Sequence, residues 1–573
     1  MIPITKIKLH NFTVNNLVLV FTCLFFTFLL LLVYDTFLWP PDDGTYAYVA
    51  DMINQGAVLN KDIRDIHTGY INFTNALSLN IFGNDLKSLR VPLVFITVLQ
   101  AFMLGSLFIK RSKLLAISAV ASLSTLSLLQ FINPTANWYA LFFICAIIFV
   151  LHIFDDNFRP RLYIVGFLLG ILFGFRQLSG AIALIGIISY VIYQVRPTEK
   201  VPLSEQVLAK IIYSFFLLLL GYYIWNKSDG IGFALFGLCP LILLIGFLCQ
   251  NTASNKVTVA IGFKLAAGFI LALLPLVFYH LVNNSLYYWY EDVVLSALNL
   301  TELPFIRSGF YEFMLGESIA NIFTGNLRLK VNGLFWLSLL VLPLLLGLAV
   351  AYRIFKFGEK AQSAIIVIPV FYALVSIHYQ IPIYLFYSSS LTVVAFLYLN
   401  IDRTKNYAMV SVFALFLSCV AYVYHAGQPV SRGIQGIIEG QTIDQNSVCG
   451  VPRCSIKIEK TMAESYQEII HLVDKKTESH DTVLTIPFNP EINFFSDRPS
   501  PLAVFNTGVS LATKESVEQA IDVIREKKPK LVILNEGDKY NTILSAKINR
   551  YVKENYTYLR SIDEFEVYIS KQF

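Results

Sequence analysis

Residues 162–195 read LYIVGFLLGILFGFRQLSGAIALIGIISYVIYQV, an apolar run of 34 residues interrupted by a single charge, Arg176. As one helix it would be about 51 Å long, far more than a hydrocarbon core of roughly 30 Å. Two short spans, 162–175 and 177–195, fit the bilayer, with Arg176 at the turn between them and Arg159 and Arg196 together on the other side. The same ruler laid along the chain predicts further spans near 16–38, 91–109, 114–132, 138–154, 211–225, 231–249, 257–280, 333–352, 363–379, 381–400 and 406–424, thirteen in all.

Composition agrees. Of 573 residues, 56% are apolar and 14% charged, with a mean hydropathy of +0.60, a balance that a water-soluble globule would not keep in solution. After Tyr424 the apolar runs stop and charges, prolines and short alternating stretches return, so the chain divides into a membrane part, 1–424, and a soluble part, 425–573. The first apolar run is too long for a cleaved signal peptide and lacks a small-residue cleavage site, so it is expected to stay as the first span.

The net charge of +5 belongs to short loops. With the N-terminus cytoplasmic, Lys6, Lys8, Lys110, Arg111, Lys113, Arg159, Arg161, Arg196, Lys200, Arg353, Lys356, Lys360, Arg403 and Lys405 fall inside, as the positive-inside rule requires. The expected partner of that charge is membrane lipid, not nucleic acid, and the expected location is the cell membrane. An odd span count places the soluble domain outside together with two long loops, 39–90 and 281–332. Both mix aromatic, acidic and basic residues with amphipathic segments, Thr45 to Met52 and Ser318 to Arg328, of the kind that lie along a membrane surface.

The first loop opens Trp39-Pro40-Pro41-Asp42-Asp43-Gly44-Thr45-Tyr46, two carboxylates at the membrane exit of the first span. Close carboxylates push their pKa values apart, so one can serve as a proton acceptor while the other is a hydrogen-bond or ion-pair partner. Equally, both acids sit where a helix begins and could cap it.

This stretch resembles the Asp-Glu-x-x-Tyr segment that follows the first span of GT-C glycosyltransferases of the protein O-mannosyltransferase and lipid A aminoarabinose transferase type (glycosyltransferase family 39-like). Gly56, Lys61-Asp62, His67-Thr68-Gly69-Tyr70, Phe82-Gly83 and Arg90 are similar to the continuation of that loop. The resemblance implies a polytopic α-helical membrane protein of GT-C type with a C-terminal α/β extracytoplasmic domain. It also implies a polyprenyl-phosphate sugar as donor, a lipid, glycan or protein as acceptor, inversion at the anomeric carbon, and no required cofactor. Asp42 would be the general base and Asp43 its catalytic neighbour; Tyr46, Lys61, Asp62 and His67 would contact substrate. The Trp-Trp-Asp signature of oligosaccharyltransferases is missing, which argues against transfer of a whole oligosaccharide to asparagine.

A departing lipid phosphate needs cationic or donor groups. Arg176, at an outer turn, is a candidate, although a charge there can also snorkel to water. His378-Tyr379 resembles a Tyr-containing turn between late spans in the same family, or else is an interfacial pair of the aromatic belt. Lys61, Arg64, Arg307, Arg328 and Lys330 are similarly placed but less distinctive candidates, whose residue types at such positions more often face solvent or headgroups. Asp62, Asp65 and His67 could position a divalent cation, but a site would need further ligands from elsewhere. Tyr287-Tyr288-Trp289-Tyr290 could stack on a sugar or form an interfacial belt.

In the soluble part a helix from Glu464, a strand Thr482 to Ile486, a loop with Pro487, Pro490, Pro499 and Pro501, a helix Lys514 to Lys527, a strand Lys530 to Leu534, a helix Thr542 to Asn555 and a strand Glu566 to Ser570 predict an α/β domain. Its Asn493 to Pro499 stretch resembles one that many bacterial members of the same family carry, and the resemblance implies a lid or acceptor recognition. Cys449 and Cys454, with Gly450-Val451-Pro452-Arg453 between them, are expected to form a disulfide in an oxidising compartment; a Cys-x4-Cys metal half-site is the alternative. The rival functions are a lipid or glycan transporter or flippase and a glycan polymerase or ligase. Transporters usually need polar or broken helices near mid-membrane, whereas here the acids gather outside the spans.

Overall fold

A computed structural model describes residues 14–154, 160–195, 201–250, 253–297, 309–357, 363–401, 407–425, 446–511 and 513–571. Lys6, Lys8, Arg159, Arg196, Lys200, Arg307, Lys360, Arg403 and Lys405 lie outside the described residues. The protein is a polytopic helical membrane protein with a C-terminal mixed α/β region. Among the described residues ten helices are long and apolar enough to cross a membrane, and three shorter apolar helices, Asn15–Leu31, Arg161–Phe175 and Ala364–His378, occupy the positions of the other expected spans.

Contacts between distant loops fix how the short helices count. Asn60 Nδ2 of the first loop donates to Asp292 Oδ2 of the second at 2.8 Å, and Arg64 pairs with Glu291 and Asp292, both at 2.7 Å. The two loops therefore lie on one side of the membrane, so an even number of crossings separates them. That number is eight when Arg161–Phe175 and Gln177–Gln194 count separately and seven if they are fused. The chain turns back at Arg176, where the backbone is extended between the two helices. The α/β region likewise touches the first loop: Tyr48 Oη accepts from the Ser500 N–H at 2.8 Å and the Arg64 N–H donates to the Ala503 carbonyl at 2.9 Å. Four crossings, including Ala364–His378, return the chain to that side.

Arg161–Phe175 packs against Asn255–Val282 backbone to backbone. A Cβ at Gly166 would strike the Leu265 carbonyl, one at Gly170 would stand 2.5 Å from the Phe269 carbonyl oxygen, and one at Gly268 would strike the Tyr163 carbonyl. In lipid, where burial of apolar surface gives no drive between helices, such small-residue seams gain dispersion contacts that bulkier residues would prevent.

The α/β region carries a four-stranded sheet in the order Val483–Ile486, Leu531–Leu534, Phe565–Ser570, Tyr556–Ile562; the first pair is parallel and the others antiparallel. The two parallel strands are buried throughout, as an unbroken apolar run requires. The edge strand Tyr556–Ile562 was not expected from the sequence, because its mostly exposed YTYLRSI lacks a clean apolar alternation. Pro490, expected in a loop, instead starts the helix Pro490–Ser496, where its missing N–H costs no bond.

Both amphipathic segments differ from expectation. Thr45 to Met52 lies inside the helix Pro40–Asn54, whose residues Asp43 to Asp51 are buried between the membrane bundle and the α/β region instead of lying on a lipid surface. Gly44 permits this: a Cβ there would stand 2.7 Å from the Glu491 backbone nitrogen and 2.8 Å from its Cβ. Ser318 to Arg328 is not one helix, since Phe310–Thr324 ends before Gly325 and Leu327–Phe357 begins after Asn326.

Candidate active site

The helix Pro40–Asn54 separates the two acids at its start. Asp43 is fully buried; its Oδ2 accepts the Trp39 N–H at 2.8 Å and its Oδ1 lies 3.3 Å from Arg90 Nη2. Arg90, also fully buried, donates to the carbonyls of Tyr34 (3.0 Å), Thr36 (2.8 Å) and Phe37 (2.6 Å) as well. Burial pushes the Asp43 carboxyl up to about 6, against the opposing pull of Arg90. Asp43 thus back-bonds the helix start and ties the end of the first span to the start of the second.

Asp42, one residue earlier, turns the other way and is half-buried. Its Oδ2 accepts from Asn133 Nδ2 at 2.9 Å. Burial raises its carboxyl above the usual carboxylate range, opposed by the charge of His67, the Asn133 hydrogen bond, Arg176 and Lys539. A carboxylate with one fixed partner, held above the ordinary carboxylate range by burial, is a stronger proton acceptor than an exposed aspartate.

Beside it runs a hydrogen-bonded chain. Asp65 accepts from His67 Nδ1 at 3.0 Å through both oxygens and from Asn72 Nδ2 at 2.7 Å. His67 Nε2 lies 3.0 Å from Tyr46 Oη, which lies 3.3 Å from Thr135 Oγ1. Burial would raise Asp65, but His67, Asn72 and the Ile66 N–H outweigh it and hold the carboxyl below its ordinary value. Ionised Asp65 keeps the His67 Nδ1 proton in place and leaves Nε2 facing Tyr46. Asn133 and Thr135 both come from the short link between two spans, so the Asp42 and His67 arms meet on one segment.

Arg176 reaches the same region from the turn, donating from Nη2 to Tyr384 Oη at 3.1 Å. Tyr379 and Tyr384 pack edge to face at 4.8 Å, Tyr384 and Tyr387 at 5.1 Å, and Tyr387 against Trp138 at 4.7 Å, forming an aromatic wall. His378 stands beside Tyr379, its ring 4.3 Å away, with Nδ1 buried and unpartnered. The α/β region adds Lys539, whose Nζ lies 5.3 Å above the Trp39 ring, and Tyr540; both are within electrostatic reach of Asp42.

The structure therefore gathers Asp42, Tyr46, His67, Arg176 and Tyr379, with His378 just behind. It does not gather Lys61 and Asp62, which lie exposed on a turn; Asp62 Oδ2 accepts the Val58 N–H at 2.8 Å and Lys61 Nζ is 3.5 Å from the Asn283 carbonyl. Asp65, three residues on, takes the inner place. Among the described residues no group of three or more His, Cys, Asp or Glu side chains is placed to hold a metal ion. Arg64, expected to face solvent, instead pairs with Glu291 and Asp292. Trp289 fastens the loops, its Nε1 donating to the Thr68 carbonyl at 2.8 Å, while Tyr287 is exposed. Cys449 and Cys454 are joined in a disulfide with Cα atoms 6.2 Å apart. Of the stretch Asn493 to Pro499, Asn493 to Ser496 belong to the helix Pro490–Ser496; Lys539 and Tyr540 come within electrostatic reach of Asp42, and a lone lysine gave no sequence signal. Asn133 and Thr135 had one, the polar stretch Asn133-Pro134-Thr135-Ala136-Asn137 between two apolar spans.

No protein-family model and no curated protein matches the chain. Among solved structures, that of ArnT from Cupriavidus metallidurans bound to undecaprenyl phosphate aligns with a TM-score of 0.40 at 10% identity, covering 96% of this chain and 97% of that one. The same protein in the apo state aligns with a TM-score of 0.39 at 9% identity over the same shares. Likeness at this level establishes neither a shared family nor a shared activity.

Proposed function

We propose that this protein is a membrane glycosyltransferase that moves a sugar from a polyprenyl-phosphate donor to a hydroxyl of a lipid, glycan or protein acceptor. The observation that carries the reading is the placement of Asp42, a half-buried carboxylate with a raised pKa at the exit of the first span, between Arg176 at a membrane turn and Lys539 of the α/β region. A lipid-linked donor keeps its tail in the bilayer and its phosphate at the membrane surface, level with the turn that carries Arg176. The acceptor oxygen attacks the anomeric carbon, its proton passes to Asp42, and the bond from that carbon to the phosphate oxygen breaks with its electrons going to polyprenyl phosphate. A single displacement inverts the anomeric carbon, and the step as written requires no cofactor.

Purified protein should release polyprenyl phosphate from a radiolabelled polyprenyl-phosphate sugar, and Arg176→Ala should raise the donor KM by about 10- to 100-fold, as loss of a charged hydrogen bond worth roughly 1.5–3 kcal/mol implies. No release across a panel of polyprenyl-phosphate hexoses and pentoses would remove the reading.

We place the site on the extracytoplasmic face. Lys110, Arg111, Lys113, Arg161, Arg353 and Lys356 all lie at helix ends opposite the two long loops, which the positive-inside rule assigns to the cytoplasm. A phosphatase reporter fused after Phe573 should be active, and one fused near Lys200 silent; the reverse pattern would invert the topology.

A further inference from the structure

The disulfide-closed loop does more than close itself. Arg453, next to Cys454, has φ +64°, a left-handed conformation uncommon for a residue with a side chain, and its guanidinium enters the seam between the first loop and the α/β region. Nη2 lies 2.5 Å from Asp51 and donates to Asn84 Oδ1 at 2.8 Å, both on the first loop. Nη1 donates to Asp497 Oδ1 at 2.9 Å, and the guanidinium carbon stands 4.0 Å over the Phe494 ring, both in the α/β region. The Arg453 carbonyl also accepts the Leu86 N–H at 3.0 Å.

Exposed ion pairs contribute little, but the Arg453 and Asp51 side chains are only 11% and 8% exposed, and the guanidinium engages several acceptors at once, the arrangement in which charged hydrogen bonds are strongest. Both disulfide sulfurs belong to fully buried residues, so a covalent bond closes the loop that presents Arg453. Asp51 stands on the same helix as Asp42, nine residues on, about 14 Å along the axis. Whatever fixes Asp51 against the α/β region also fixes where Asp42 stands relative to Lys539.

We propose that Arg453 is a positioning residue: from the disulfide loop it docks the helix Pro40–Asn54 onto the α/β region and so sets the geometry of the Asp42 site. The inference rests on the reading of Asp42 as the base. It is tested on the full-length protein by combining hydrogen exchange with kinetics for Arg453→Ala, Arg453→Lys and the charge-exchanged pair Asp51→Arg with Arg453→Asp.

In Arg453→Ala, exchange should accelerate in residues 40–54 while strands Val483–Ile486 and Leu531–Leu534 stay protected. The kcat should fall about 10²-fold, the cost of misplacing a reacting group by roughly 1 Å. The donor KM should not move, because Arg176 is untouched. Lysine, with one ammonium in place of a fork, should restore only part of this, and the exchanged pair should recover protection in 40–54. Unchanged exchange in 40–54, loss of protection in the strands, or faster exchange with unchanged kcat would each overturn the proposal. A wild-type protein without donor turnover would instead overturn the glycosyl-transfer reading, and the exchange arm would still decide the docking.

Discussion

Asp42→Asn is expected to lower kcat by about 10²- to 10⁴-fold, the usual contribution of a positioned general base. The fold should survive, because amide and carboxylate have nearly the same shape and the amide oxygen can still accept the Asn133 hydrogen bond, 2.9 Å in the native protein. Only proton acceptance is removed. Donor KM should change little, in contrast to Arg176→Ala, because the base acts on the acceptor and not on the lipid phosphate. The pH profile gives a second check. Burial holds the Asp42 carboxyl above the ordinary carboxylate range, so the ionised base, and with it activity, should disappear as pH falls at a higher pH than for an exposed aspartate. That acidic limb should be absent from whatever turnover Asp42→Asn retains. If Asp42 merely capped its helix, asparagine would serve nearly as well; turnover of the variant near wild type would sink the assignment.

Arg90→Met should damage the protein in the opposite way, through stability. Arg90 and Asp43 are both fully buried, and Arg90 also supplies the donors for three carbonyls at the end of the first span. Methionine fills much of the volume but leaves the buried Asp43 carboxyl with the Trp39 N–H alone and takes the Arg90 donors away from three carbonyls. Breaking a buried pair from one side costs about 3–5 kcal/mol, a large part of the roughly 5–15 kcal/mol that holds a typical domain together. We expect most of the variant to be lost as aggregate, read as the monodisperse fraction in detergent and the thermal midpoint. Asp43→Asn should be milder, since Arg90 keeps its three carbonyls and the asparagine oxygen can still accept the Trp39 N–H. An Arg90→Met protein with an unchanged midpoint would show that the pair does not hold the two spans together.

Adjacent aspartates thus have separate fates, and neighbouring positions in the sequence could not say which. On a helix, successive residues point about 100° apart, so Asp42 and Asp43 must face different surroundings. Which one meets Arg90 and which meets Asn133 depends on how the helix is rolled between the bundle and the α/β region.

What the sequence determined by itself is what depends on local chemistry alone. Apolar runs of bilayer length gave the membrane class and the place of each apolar helix along the chain, because in lipid a segment must satisfy its own backbone and show an apolar surface. The turn at Arg176 followed from length, and the α/β alternation from short apolar strands between amphipathic helices. The tertiary structure decided what depends on contacts between distant residues. Asp65, not Asp62, meets His67, because Asn72 and Tyr46 lie on the inner side of that turn. Gly44 lets the Glu491 backbone come close, Lys539 comes within electrostatic reach of Asp42, and Arg453 locks the seam. These pairings join residues up to about five hundred positions apart, a separation over which no local propensity acts; only the packing of the whole chain brings them into one place.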